Sequence, residues 1–158
     1  MSTTTPIIER RRIEAELLKE VYETVRARHG VDEARTVIGE SVRRSAIEQA
    51  RAFAAAAPGG TSLQSFVDIQ KHWTAENALE IQPVHRDDTH FDFNVTRCRY
   101  AEMYRDMGLA EIGPLLSCNR DGSFCEGYDP KLKFTRTQTL MQGASHCDFR
   151  YRYDDGKA

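Results

Sequence analysis

The sequence lacks several features that would assign it to a specialised class of protein. No apolar run approaches the roughly 20 residues that a membrane-spanning helix needs. Basic residues are not in excess either, since 22 Lys and Arg stand against 24 Asp and Glu, giving a formal charge of −2. This balance argues against a protein that coats nucleic acid, whose affinity comes from neutralising phosphates. We therefore expect no membrane partner and no nucleic-acid partner.

The sequence contains no internal repeat, and we expect no secretory signal. Residues 1–6 are polar and lack the apolar core of a secretory signal, so we expect a cytoplasmic protein. Of the 158 residues, 40% are hydrophobic and 29% are charged, which is typical of a globular chain and unlike a disordered one. This length suits one domain. We predict a single domain over 1–158, with a helical part at 7–82 and a catalytic-type α+β part at 90–153.

Cysteine is absent from the first 97 residues, and the chain has no Cys-x-x-Cys spacing. The expected cytoplasmic setting favours reduced thiols over disulfides. Zinc knuckles and redox motifs use Cys-x-x-Cys, so we predict no metal and no cofactor. Three thiols with His146 could still supply four zinc ligands, and a zinc-dependent cyclic amide hydrolase stays a minor alternative. The four cysteines are Cys98, Cys118, Cys125 and Cys147.

Hydrophobic periodicity predicts three helices in the first half of the chain. The first would end at His29-Gly30 and the second at Ala57-Pro58-Gly59-Gly60, while a Thr-x-x-Gln capping box at Thr61–Gln64 would open the third. Their broad apolar stripes either cover a sheet or join two copies of the chain, so a homo-oligomer through the N-terminal helices stays open. The predicted apolar stripe of the first helix is Ile13, Leu17, Val21 and Val25, widened by Leu18 and Tyr22.

Beyond Pro83 the pattern changes from helical to extended. Apolar and polar residues alternate over 90–96 and 146–153, which predicts strands with one buried side. Residues 132–140, rich in Thr and apolar residues, predict a third strand, and residues 99–107 return to a helical pattern. We predict an α+β fold in which N-terminal helices pack on a small, mainly antiparallel β-sheet.

Polar side chains collect on one face of the predicted strands, where they could line the mouth of a pocket. The alternative is that this face is the water-exposed side of an antiparallel sheet. The last strand places an imidazole, a carboxylate and two guanidinium groups on the face opposite Cys147. The candidate residues on these polar faces are Asn94, Arg136, Gln138, His146, Asp148 and Arg150.

Cys118 is a second candidate, between Leu115-Leu116 and Asn119-Arg120-Asp121. If a helical turn begins here, its free N–H groups would lower the pKa of the Cys118 thiol and favour the thiolate. Asp121 lies three residues further on and could orient a water molecule or accept a proton. The alternative is that Cys118 is a small buried hydrophobe, the usual state of a free cysteine.

Three blocks in the C-terminal half resemble one known family. They are Asn94–Glu102, Leu116–Asp121 and Thr135–Gly143, the last of which leads to His146–Arg150. In this order the blocks are similar to the L-2-amino-thiazoline-4-carboxylic acid hydrolase family. The resemblance implies hydrolytic opening of a cyclic amidine ring, in the bacterial route from 2-aminothiazoline carboxylate to L-cysteine through a carbamoyl-cysteine.

The resemblance therefore implies a metal-independent hydrolase that acts on a non-peptide C–N bond of a small cyclic amidine or cyclic amide. Opening the ring requires attack at the carbon between nitrogen and sulfur. Either the Cys118 thiolate attacks, or Asp121 or Asp148 activates a water molecule. His146 would donate a proton to the leaving ring atom. Cys147 would pair with a group from another element.

The remaining polar residues would recognise the small-molecule substrate. Arg136 or Arg150 would bind its carboxylate in a two-pronged contact. Asn94 and Gln138 would orient its polar atoms. The alternative from another class is a non-catalytic module that binds an anionic small molecule on the same polar face. The enzymatic prediction requires Cys118 and the polar side of the last strand to line one small cavity.

Overall fold

A computed structural model describes residues 5–157 of the chain. The helices are α1 Ile7–His29, α2 Val31–Ala55, α3 Leu63–Ile69, α4 Lys71–Thr74, α5 Arg99–Asp106 and α6 Asn119–Tyr128. The strands are β1 Leu79–Arg86, β2 His90–Cys98, β3 Leu132–Thr135 and β4 Cys147–Tyr153. None of the helices described in this range is long and apolar enough to cross a membrane.

The four strands form one antiparallel sheet in the order β1-β2-β4-β3. In the central pair, Phe93 lies opposite Phe149 and Val95 lies opposite Cys147. Because side chains alternate along a strand, these residues share one face. That face packs against α2, α3 and α6 to form a common apolar core. The predicted α+β class, with helices packed on a small antiparallel sheet, is confirmed.

The first helix forms as predicted, but only part of its predicted stripe is buried. Tyr22 is buried, and Val21 and Val25 are partly buried against the core, whereas two positions nearer the start of the helix face solvent. Ile13 is 52% exposed and Leu17 is 69% exposed. The helix instead turns Arg11 inward, because the guanidinium finds acceptors on Glu14 and on Gln49 of α2. Hydrogen bonding of this kind offsets the cost of burying a charge. The buried side chains of α1 are Ile7, Arg11, Ala15 and Tyr22.

The helical part predicted over 7–82 ends earlier, because β1 already begins at Leu79. Pro83 lies within β1, although proline cannot donate a hydrogen bond to a neighbouring strand. However, β1 is an edge strand, and its pairing shifts register between Pro83 and His85. An edge position beside a bulge is where a strand accepts proline.

The strand predicted over 132–140 is shorter than expected, since β3 ends at Thr135. The following segment leaves the sheet, and the Thr139 side chain accepts a hydrogen bond from the backbone N–H of Gln142. This contact caps a short 3-10 turn over Leu140–Gln142. The departure from the sheet carries Arg136 out of the strand and towards α6.

Close packing of α2 on α6 depends on Gly127. A Cβ atom here would clash with the carbonyl oxygen of Ile47 and lie 2.9 Å from the Cβ of Ala50. Because the obstacle is backbone, we expect Gly127→Ala to lower the free energy of unfolding by about 1–3 kcal/mol, measured by chemical denaturation. Gly122→Ala is the control on the same helix, since its Cβ would meet only Phe134, at 3.7 Å. Equal losses in both variants would contradict this account.

Candidate functional site

A cavity lies between the inner face of the sheet and the helices α1, α4 and α6. It has two lobes that share six lining residues. We name the lobe of about 70 Å³ beside Cys118 the outer lobe and the lobe of about 50 Å³ beside Gln49 the inner lobe. Space of this size accommodates several water molecules or one small ring. The residues common to both lobes are Arg11, Trp73, Leu79, Arg120, Asp121 and Phe149.

Three thiols line the outer lobe: Cys98 at the end of β2, Cys118 before α6 and Cys147 at the start of β4. Burial raises the pKa of Cys98 to about 11 and that of Cys118 to about 12. Burial also raises the pKa of Cys147. All three groups are therefore protonated thiols near neutral pH.

The predicted activation of Cys118 by a helix N-terminus does not occur. A π-helical turn over Pro114–Cys118 runs directly into α6. The N–H of Asn119 donates to the carbonyl oxygen of Pro114, so the helical hydrogen bonds continue through this point. Without a free helix end to favour the thiolate, desolvation determines the direction of the pKa shift.

Asp121 and Arg136 form an ion pair at the cavity wall. Arg136 Nη1 donates to Asp121 Oδ2 at 2.5 Å, and its Nη2 donates to the carbonyl oxygen of Cys118 at 3.0 Å. The guanidinium carbon also lies 5.1 Å from the ring centre of Phe134 and 5.2 Å from that of Phe149. These contacts fix the guanidinium, and through it the Asp121 carboxyl.

The charge state of Asp121 is set by two opposing effects. Burial raises the pKa of the Asp121 carboxyl, and the Arg136 guanidinium opposes that rise. For Arg136, burial favours the neutral form, but the Asp121 charge outweighs it and the pKa of Arg136 is raised. The 26% of the Asp121 side chain that is accessible borders the cavity. A cavity-facing carboxyl with a raised pKa is suited to accepting and returning a proton.

Two buried arginines in the cavity wall were not among the site residues predicted from the sequence. Arg11 is 3% exposed and Arg120 is 7% exposed. Both donate to Glu14, Arg11 at 3.0 Å and Arg120 at 3.1 Å. The one available signal was the position of Arg120 beside Asp121 at the start of a helix.

The polar face of β4 lies on the other side of the sheet from the cavity. Asp148 accepts hydrogen bonds from the backbone N–H groups of Thr137 and Gln138, both at 2.9 Å. Although burial alone would raise the pKa of Asp148, the bonds from Thr137 and Gln138 lower it to about 2. Arg150 donates to Asn94 Oδ1 at 3.1 Å. These polar groups hold strands and loops together and do not line the cavity.

His146 and Gln138 also lie outside the cavity wall. Gln138 Nε2 donates to the carbonyl oxygen of His146 at 3.0 Å, and the His146 ring contacts Ser145 Oγ at 2.9 Å. The prediction of one cavity shared by Cys118 and the polar side of the last strand is therefore wrong. Strand alternation turns the apolar side of β4 towards the helices instead. The predicted site residues that do line the cavity are Cys118, Asp121, Arg136 and Cys147.

Metal-ligating side chains come together at a different place. Within residues 5–157, one group of three has its ligand atoms within 4.8 Å of one another, formed by His85, Asp87 and His90. It lies on the hairpin between β1 and β2, outside both lobes of the cavity. The three thiols and His146, considered above as zinc ligands, do not form such a group in the described range.

Two solved structures are similar to this chain in fold. The phenol-responsive sensory domain of the transcription activator PoxR, in its structure with phenol, is 15% identical with a TM-score of 0.56, over 90% of this chain and 74% of that chain. A trafficking protein particle complex subunit 3 from Naegleria fowleri, covalently bound to palmitic acid, is 12% identical with a TM-score of 0.47, over 90% and 96% of the two chains. At such identity, a likeness concerns the fold alone.

The sequence comparisons are more specific. No curated protein matches the chain. The family model for L-2-amino-thiazoline-4-carboxylic acid hydrolase matches residues 10–151, which includes all three sequence blocks and every residue of the cavity wall. The chain therefore belongs to the L-2-amino-thiazoline-4-carboxylic acid hydrolase family.

Proposed function

We propose that the protein hydrolyses a small cyclic amidine that carries a carboxylate, of the 2-aminothiazoline-4-carboxylate type. The observation that best supports this function is the Asp121 carboxyl, which borders a cavity of small-molecule size and has its pKa raised by burial. The family is named as a hydrolase. The cavity walls include Trp73, Leu79 and Phe149, whose apolar surfaces suit the faces of a flat ring.

In this proposal Asp121 activates water for attack on the ring. The water oxygen bonds to the carbon between nitrogen and sulfur, while the Asp121 carboxylate takes the water proton. The bond from that carbon to one ring heteroatom then breaks, and Asp121 returns the proton to the departing atom. One water molecule is consumed, and the carboxylate is regenerated. Arg136 positions the carboxyl throughout, since both of its terminal nitrogens are already held.

The Cys118 thiol is the alternative nucleophile, but its environment favours it less. Burial raises the pKa of Cys118 to about 12, so the thiol would have to lose its proton to Asp121 before attacking. The water route needs no such preceding step. The Asp121 carboxylate, whose pKa is raised, can accept a proton from water directly as the water attacks. The water route therefore has the stronger physical support.

Ring opening by the purified protein tests the proposal. Cyclic amidines, hydantoins and lactams, each with and without a carboxylate, are incubated with the protein, and ring loss is followed by absorbance. The water route predicts that Cys118→Ser retains turnover, whereas a covalent route predicts a loss on the order of 10³-fold or more. Cys98→Ser is the matched control, since Cys98 lines the same lobe. A loss confined to Cys118→Ser would contradict the water route.

A ligand-binding module without catalysis is the second candidate function. Its support is the similar fold of a sensory domain that responds to phenol, a small ring compound. The two candidates differ in what the same panel shows. Saturable binding without ring loss across all of these compounds would favour the sensory function and overturn the proposed hydrolase.

A further inference from the structure

Two hydrogen-bond donors on the inner lobe of the cavity have no acceptor. Gln49 Nε2 and Arg120 Nη1 are buried, and neither has a hydrogen-bond partner among residues 5–157. Both residues line the inner lobe, which Asp121 also borders. Buried polar groups in folded proteins are nearly always paired, so two unpaired donors on one wall indicate a place for a ligand acceptor.

The other atoms of these side chains are fully engaged, which leaves only donors available. Arg120 Nε donates to the carbonyl oxygen of Leu116 at 2.8 Å, and its Nη2 donates to Glu14 at 3.1 Å. Gln49 Oε1 accepts from Arg11 Nη2 at 2.9 Å. Since Arg11 can only donate, the amide must present its oxygen to Arg11 and its nitrogen elsewhere. A ligand at this wall therefore has to be an acceptor.

Charge points to the same ligand. Only two carboxylates pair with the three guanidinium groups of the cavity. Glu14, which lines neither lobe, pairs with both Arg11 and Arg120. Asp121 pairs with Arg136, which lines the outer lobe only. Burial and the neighbouring Arg11 lower the pKa of Arg120 to about 10, which leaves it protonated at neutral pH. One positive charge of this cluster thus has no counter-ion within the described residues. An uncompensated buried charge is costly, and an anionic ligand would remove that cost.

We infer that the inner lobe binds the carboxylate of the substrate, with Arg120 and Gln49 donating to it and Arg11 adding charge behind them. The ring chemistry in this inference rests on the proposed function. Asp121 borders both lobes, so the basic amidine end of the ring would lie against Asp121 while the carboxylate end points to Gln49. The ligand class is a small ring that carries one basic amidine and one carboxylate.

This assignment replaces Arg136 and Arg150, which were predicted from the sequence to bind the substrate carboxylate. Arg150 lies on the far side of the sheet, where it donates to Asn94. Arg136 is held by Asp121 and by the Cys118 carbonyl oxygen. Arg120 is the guanidinium in the wall that retains an unpaired donor.

The test uses ring probes that cannot be hydrolysed. 2-Aminothiazole-4-carboxylate is aromatic and keeps the carboxylate, and 2-aminothiazole is the same ring without it. Calorimetric titration of the full chain is expected to give about 10–100-fold tighter binding of the carboxylate probe, as expected for hydrogen bonds to a charged group. Equal binding of the two probes would overturn the inference.

Gln49→Glu is the decisive variant. It keeps the oxygen that accepts from Arg11, replaces the unpaired donor by an acceptor and cancels the excess charge. The carboxylate preference is expected to disappear, while the neutral probe still binds. Gln64→Glu makes the same change on the exposed side of α3, and this variant is expected to retain the carboxylate preference. A Gln49→Glu protein that melts like the wild type yet retains the preference would refute the inference.

Binding and turnover separate this inference from the proposed function. Selective carboxylate binding that depends on Gln49, without ring opening of any substrate, would refute the hydrolase and leave the anion site standing. Ring opening without a carboxylate preference would support the hydrolase and refute the anion site. Arg120→Lys provides a second measurement, because lysine keeps the charge but cannot donate to Leu116, Glu14 and a ligand at the same time. We expect this variant to bind the carboxylate probe about tenfold more weakly than the wild type.

Discussion

Asp121→Asn is expected to lower kcat for ring opening by about 10²–10⁴-fold, the usual contribution of a general base. Asparagine has nearly the shape of aspartate, and its oxygen can still accept the hydrogen bond from Arg136. It cannot take a proton from water, so the change removes the chemistry and keeps the geometry. Steady-state measurement of ring absorbance gives kcat, and the non-hydrolysable carboxylate probe reports whether the site still binds.

Asp148→Asn is the informative comparison, because a catalytic role was predicted from the sequence for both Asp121 and Asp148. Asp148 lies outside the cavity and accepts hydrogen bonds from the backbone of Thr137 and Gln138. Its replacement is expected to leave kcat near the wild-type value and to lower the free energy of unfolding by about 1–3 kcal/mol. Comparable losses of kcat in the two variants would show that Asp121 has no special role in the chemistry.

Strand alternation made it possible to predict from the sequence which residues share a face of the sheet. It did not identify the face on which the cavity lies. Cys147 and Phe149 were correctly separated from Asp148 by parity along β4. The same pattern also indicates that the helices cover the apolar face, as they do here, and the cavity lies on that side of the sheet. Catalytic candidates therefore reach the cavity from α6 and from the segment after β3, as Asp121 and Arg136 do. A search confined to strand polarity was bound to choose the wrong side.

Long-range pairing explains why the buried arginines escaped prediction. Arg11 lies in a run of three arginines among glutamates, a pattern typical of a solvated helix face. Its burial depends on Gln49, which is 38 residues away in the sequence. Hydrophobic periodicity assigns such a position to solvent because it scores a side chain by its type and not by its partners. The family blocks, in contrast, involve local runs of sequence and could be recognised directly.

Arg136→Gln is expected to move the acid limb of the kcat/KM profile to higher pH. The Arg136 cation favours the charged form of Asp121 and so opposes the rise in pKa that burial causes. Without it, the pKa of Asp121 rises further, and the carboxylate needed as base forms only at higher pH. Activity should therefore fall at the acid end of the profile and recover in part as the pH is raised. An unchanged acid limb would exclude Asp121 as the base.

The free energy of unfolding of Arg136→Gln should also depend on pH in a defined way. Removing one partner of a buried ion pair is expected to cost about 3–5 kcal/mol of unfolding free energy while Asp121 is charged. A carboxyl whose pKa is higher in the folded than in the unfolded state stabilises the fold below its unfolded pKa and loses that contribution as pH rises through the folded value. Denaturation of Arg136→Gln should thus show its smallest deficit at acid pH. Arg136→Lys keeps the charge and should therefore show a weaker pH dependence of the unfolding free energy. The same pH dependence in both variants would indicate that the guanidinium acts through packing and not through its charge.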